Sequence, residues 1–112
     1  MNRIFEDAAE SWAMKQNRAP DSLESIAQRL IALRTLNATT QIAFCNQVNI
    51  QPNTWNQYET AKQRISLDMA IRLSRATGVT LDWIYLGDST GMPMRYTPII
   101  SGDRRVLERQ AR

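Results

Sequence analysis

The sequence predicts an all-α fold. Apolar residues recur at helical spacing in several short stretches, most opening on a side chain that can cap a helix and closing on Asn or Gly. A chain of 112 residues buries only about two-thirds of its unfolded surface, which favours one small unit of helices with short connections over a sheet with long crossovers.

Ile4, Phe5, Ala8, Ala9, Trp12 and Ala13 fall at i, i+4, i+8 spacing and predict a short amphipathic helix over residues 4–16, ended by Asn17-Arg18-Ala19-Pro20. The next helix opens at Asp21 or Ser22, with Asp21 and Glu24 as a cap-and-reach-back pair. Its stripe is Leu23, Ile26, Ala27, Leu30 and Leu33, and Asn37 stops it. Thr40 caps a helix to about Val48 that gathers Phe44, Cys45 and Val48 on one side. Asn49 tolerates the left-handed conformation of a tight turn. Only Ile50 then precedes the next start signal, Gln51-Pro52, with Pro suited to a first helical position.

Two helices thus meet across a very short turn, and the second, Pro52 to about Thr60, has two distinct arcs. With Asn53 at the origin, 100° steps put Gln57 at about 40°, Asn56 at about 300° and Thr60 at about 340°, all uncharged amides or hydroxyls. Tyr58, Trp55 and Glu59 fall at about 140°, 200° and 240°, so the aromatics face the core. Ser66 caps a helix from Leu67 to about Thr77 closed by Gly78, and Thr80 caps a last short helix, Leu81 to Leu86, closed by Gly87. Leu67, Ala70, Ile71, Leu73, Val79, Trp83 and Ile84 are the core candidates here. Residues 87–93 read as a linker and residues 96–100 as an extended stretch. Residues 103–112 suit either a short basic helix or disorder. The expected organisation is an N-terminal helix over 1–19, a central domain over 20–88 and a linker with a basic tail over 89–112.

Composition narrows the function. Histidine, the commonest general base and metal ligand, is absent, and the single cysteine, Cys45, can build neither a zinc site nor a disulfide. No catalytic, cofactor-binding or metal-binding residue is expected. The absence of a long apolar run and the acids near the N-terminus exclude a membrane span and a signal peptide, so a cytoplasmic protein is expected. The net charge is +3, and residues 95–112 hold all of it: Arg95, Arg104, Arg105, Arg109 and Arg112 stand against Asp103 and Glu108. Residues 1–94 are neutral, so bulk basicity says nothing about the middle of the chain.

Thr40-Gln41, Phe44-Cys45, Val48-Asn49-Ile50-Gln51, Trp55, Tyr58-Glu59, Ser66-Leu67-Asp68 and Gly78-Val79-Thr80-Leu81-Asp82-Trp83, at their spacing, resemble the phage repressor and Cro (Xre-type) helix-turn-helix family over residues 22–88. The resemblance implies a five-helix, lambda-repressor-like domain that binds operator DNA as a dimer and usually represses transcription. The N-terminal helix and C-terminal extension would be additions to it. It makes Thr40–Val48 the supporting helix and Pro52–Thr60 the recognition helix. Gln41 falls where the family touches phosphate and braces the recognition helix, and Asn53 and Gln57 fall at base-reading positions. Thr54, Asn56 and Thr60 match base or phosphate contacts, Lys62 and Arg64 lie where the following loop contacts phosphate, and Gln51 completes the candidate set.

Three departures stand out. Asn49 replaces a frequent turn glycine, Pro52 removes a base contact that several relatives make, and Ile42 replaces a usually polar residue, which suggests packing against the N-terminal helix. Asn and Gln can pair in bidentate fashion with adenine N6 and N7, and no arginine faces outward from this helix, so adenine is expected at the directly read positions. One module contacts too little DNA for tight specific binding, so a homodimer on an inverted repeat with half-sites one helical turn apart is expected. Residues 4–12, 81–86 and 99–107 are the candidate dimer segments. The alternative is an antitoxin or protein-interaction module with the same fold, whose partner is a toxin or another protein and whose DNA contact is secondary.

Overall fold

The computed structural model describes residues 19–38 and 40–100. The helix expected over residues 4–16 and the basic tail beyond Ile100 lie outside the described residues. Helix α1 spans Leu23–Asn37, α2 Gln41–Val48, α3 Pro52–Glu59, α4 Leu67–Thr77 and α5 Leu81–Leu86. A 3-10 turn, Met94–Tyr96, runs into a final short helix, α6, Thr97–Ile100. Among the described residues there is no strand, and the protein is all-α.

The helices start where a side chain can satisfy their first free N–H groups. Thr40, Ser66 and Thr80 each accept a hydrogen bond from the backbone N–H three residues on. Helix α1 departs from the expected cap: Ser22 Oγ accepts from Ser25 N at 3.1 Å, and no Asp21–Glu24 exchange forms. Ser22 already has the extended backbone of a cap (φ −69°, ψ 156°), so Asp21 lies one residue outside the helix. Its carbonyl accepts from Arg64 instead. Gly78 and Gly87 close α4 and α5 at φ 86° and 74°, the left-handed region that a side chain resists.

Helix α3 closes with the same geometry but without glycine. Ala61 stands at φ 58°, its N–H donates to Tyr58 O at 3.3 Å, and Lys62 N–H donates to Gln57 O at 3.0 Å. An L-residue with a Cβ is strained there, by more than the chain entropy that Gly adds when unfolded. Ala61→Gly is therefore expected to stabilise the protein by about 0.5–1 kcal/mol. The urea midpoint checks this, and an unchanged or lower midpoint would contradict the strain.

Leu30, Leu33, Phe44, Val48, Trp55, Leu73, Val79, Ile84 and Tyr96 form the centre of one core, all essentially inaccessible to solvent. Helix α1 crosses the middle of the domain, packing on α2, α3, α5 and α6, while α4 rests on α2 and α5. Two core expectations fail at the edge. Leu67, in the first turn of α4, is 58% exposed, because the stripe it shares with Ala70, Leu73 and Thr77 runs past the end of the core. Ile71 is only half-buried. Ile42 is exposed among the described residues.

The stretch over 96–100, expected to be extended, is helical. Pro98 sits in the first turn of α6, where a missing N–H costs little. Tyr96 is buried completely and its hydroxyl donates to Thr77 O at 2.5 Å, which pins the turn before α6 to the C-terminus of α4. Arg95 donates to the same carbonyl and to Tyr96 Oη, and its guanidinium stands 4.8 Å from the Tyr96 ring centre. Met92, Ile99 and Ile100 pack against the core beside them.

Candidate nucleic-acid interface

The turn between α2 and α3 holds the candidate interface together. Asn49 adopts the left-handed conformation (φ 58°, ψ 48°) that its short amide allows. The next residue, Ile50, is buried and donates its N–H to Cys45 O at 3.2 Å. Pro52 begins α3 at once, with its φ already set for a helix. Arg72 of α4 reaches across and donates to Asn49 O at 2.6 Å. Phe44 of α2 and Trp55 of α3 meet with ring centres 5.0 Å apart, and Tyr58 meets Trp55 edge-on at 6.2 Å. The angle between the two helices is thereby fixed by buried aromatic surface.

This packing turns the predicted amide arc outward. Asn53, Asn56, Gln57 and Thr60 are exposed, Gln51 is exposed at the N-cap, and Thr54 is half-buried at the margin. Thr60 bends its hydroxyl back to Asn56 O at 2.8 Å. Lys62 is exposed in the loop after α3, whereas Arg64, also exposed, donates to Asp21 O at 2.5 Å and so leans toward the start of α1. Gln41, in the first turn of α2, donates to Asn56 Oδ1 at 3.3 Å and to Glu59 Oε1 at 3.0 Å. The structure thus joins Gln41 to Asn56, aligns Asn53 with Gln57, and draws Arg64 aside.

Beneath this face lies a polar cluster that the sequence did not disclose. Glu59 accepts from Arg34 Nε at 2.5 Å and Nη2 at 3.1 Å, from Trp55 Nε1 at 2.5 Å and from Gln41 Nε2. Its side chain is 6% exposed and that of Arg34 19%. The signal was present in the arcs: a carboxylate beside Trp55 on the apolar side of a helix needs a buried cation. Its partner, however, is 25 residues away on another helix. Burial, with Glu59 adding to it and Arg34 partly opposing, raises the pKa of the Cys45 thiol, so this buried cysteine stays protonated and unreactive.

The helix-turn-helix family model matches residues 30–84, from the middle of α1 into α5. Residues 30–84 belong to the helix-turn-helix family, in its phage repressor and Cro type. No curated protein and no solved structure matches the chain. The helix-turn-helix domain is that of a DNA-binding regulator. Among the described residues no helix is long and apolar enough to cross a membrane, and no group of His, Cys, Asp and Glu could hold a metal.

Proposed function

We propose that this protein is a sequence-specific, double-stranded DNA-binding repressor of the cytoplasm that reads an inverted-repeat operator as a homodimer. The observation that carries the reading is the exposed, uncharged arc of Asn53 and Gln57 on a helix whose opposite side is locked into the core by Trp55 and Tyr58. Such a helix fits the major groove, and its amides match adenine. Gln51, Thr54, Asn56 and Thr60 complete the contact on α3, while Gln41, Lys62 and Arg64 flank it. Residues 20–88 form the reading unit. The dimer contact falls to residues 4–12, to residues 99–107 or to α5, where Leu86 is 55% exposed.

A second reading, an antitoxin or interaction module that grips a toxin or another protein, is favoured by the electrostatics. Arg29, Arg34, Arg64, Arg72 and Arg95 each donate to carbonyls or a carboxylate of the protein itself. Burial even lowers the Arg29 pKa to about 10, with Asp21 partly offsetting it. Among the described residues, Lys62 and Arg75 are the cations left to attract phosphate.

Selection from a random duplex pool at two salt concentrations, beside an Asn53→Ala/Gln57→Ala double variant, separates the two. An enriched inverted repeat with adenine-bearing half-sites one turn apart is expected. The double variant should lose about 1–3 kcal/mol of discrimination per amide while its melting temperature stays near wild type. Each neutralised phosphate should add roughly 0.9 to the slope of affinity against salt on logarithmic axes. Enrichment of no duplex would send the search to protein partners.

A further inference from the structure

Gln41 has two amide N–H groups, and both are spent inside the protein, one on Glu59 Oε1 at 3.0 Å and one on Asn56 Oδ1 at 3.3 Å. The direction of these bonds is not arbitrary. An ionised carboxylate only accepts, so the Gln41 atom facing Glu59 must be nitrogen. The second hydrogen on that nitrogen then needs an acceptor, and Asn56 supplies its oxygen. With Oδ1 turned inward to Gln41, the Nδ2 group is the end of the Asn56 amide presented to a partner outside the protein. Glu59 cannot turn to relieve the constraint, because Arg34 and Trp55 hold its other positions.

We infer that the buried Glu59 sets the amide polarity of the interface through Gln41, so that Asn56 meets DNA as a hydrogen-bond donor. Its target is an acceptor: purine N7, guanine O6, thymine O4 or a phosphate oxygen. This rests on the reading of α3 as the DNA-reading helix given above. Asn53 and Gln57 differ from Asn56 in kind. No side-chain hydrogen bond holds either of them among the described residues, so each keeps donor and acceptor together and can pair with adenine in bidentate fashion. Asn56 reads one acceptor instead. Gln41, with both N–H groups used, leaves any phosphate contact at its position to the backbone N–H groups of the first turn of α2.

The test uses the duplex enriched in the selection, remade with single acceptors removed. Those are 7-deazapurines for N7, 2-aminopurine for guanine O6, 5-methyl-2-pyrimidinone for thymine O4, and methylphosphonates for phosphate oxygens. A second series removes single base amino groups, with nebularine for adenine and 2-pyrimidinone for cytosine. One acceptor deletion should weaken the wild-type protein by about fivefold, the worth of one hydrogen bond, and should weaken Asn56→Ala no further. Whether that deletion is a base or a phosphate identifies the source. Gln41→Ala cuts the relay at its exposed link while leaving the Arg34–Glu59 pair intact, and should reduce the same effect to less than about twofold.

Coupling of Asn56→Ala to an amino-group deletion, or to no deletion, would overturn the inference. So would an undiminished effect in Gln41→Ala, which would show that Glu59 does not set the orientation. If no duplex is enriched at all, the reading of α3 falls, and this inference falls with it.

Discussion

Glu59→Ala should cost about 3–5 kcal/mol of folding stability, a large part of what a domain of this size possesses. The reason is asymmetry. An ion pair made in the interior gains little over well-packed apolar residues, because both charges must leave water. Removing one partner is different, since the other stays behind. Without Glu59 the Arg34 guanidinium, 19% exposed, faces a cavity with no carboxylate, and the Trp55 indole N–H, on a side chain with no solvent access, has no acceptor. The urea midpoint should fall sharply while the slope of the transition stays constant, the mark of lost stability rather than altered compactness.

The double variant Arg34→Met/Glu59→Leu supplies the contrast. It replaces both charges with apolar groups of comparable length and should recover most of the loss, although Trp55 still lacks its acceptor. A cost for Glu59→Ala below about 1 kcal/mol, the range of exposed pairs, would show that water reaches the cluster freely.

These effects mark the boundary of what local sequence can disclose. The caps at Thr40, Ser66 and Thr80, the left-handed Asn49 and the closures at Gly78 and Gly87 were all readable, because each depends on the residue and its next three or four neighbours. The outward arc of α3 was readable for the same reason: helical geometry alone separates Asn53 and Gln57 from Trp55 and Tyr58. The start of α1 was legible only as Asp21 or Ser22, since the two have nearly equal preference, and the backbone turn decides for Ser22. Leu67 was misplaced because periodicity gives the side of a helix and not where its neighbours end.

The larger gaps are non-local. Glu59 meets Arg34 across 25 residues, and Tyr96 meets Thr77 across 19. No spacing rule relates either pair. For the candidate site, this means that the side chains turned outward from α3 were legible while the buried charge beneath them was not.

Tyr96→Ala should be the second large effect, again about 3–5 kcal/mol, the usual cost of emptying a core position of an aromatic ring. Tyr96 lies twelve residues beyond the segment matched by the helix-turn-helix family, yet it has no solvent access and packs in the same core as Leu30, Leu73 and Ile84. Two contributions should separate. Tyr96→Phe keeps the ring and loses the hydroxyl's bond to Thr77 O together with the one it accepts from Arg95, which still serves that carbonyl, so its cost should be about 1 kcal/mol. The remainder belongs to the ring. Hydrogen exchange should then quicken at the C-terminal turn of α4, which Tyr96 and Arg95 tie down, before it quickens in α2 and α3. A chain ending at Asp88 should resemble Tyr96→Ala in stability and keep the arrangement of α3, because no part of the turn before α6 hydrogen-bonds to the set of Gln41, Asn56 and Glu59. If that shortened chain unfolds at the wild-type midpoint, the residues after Asp88 add nothing to the core. If it loses several kcal/mol, the stable domain extends to α6 and the proposed boundary at Asp88 moves with it.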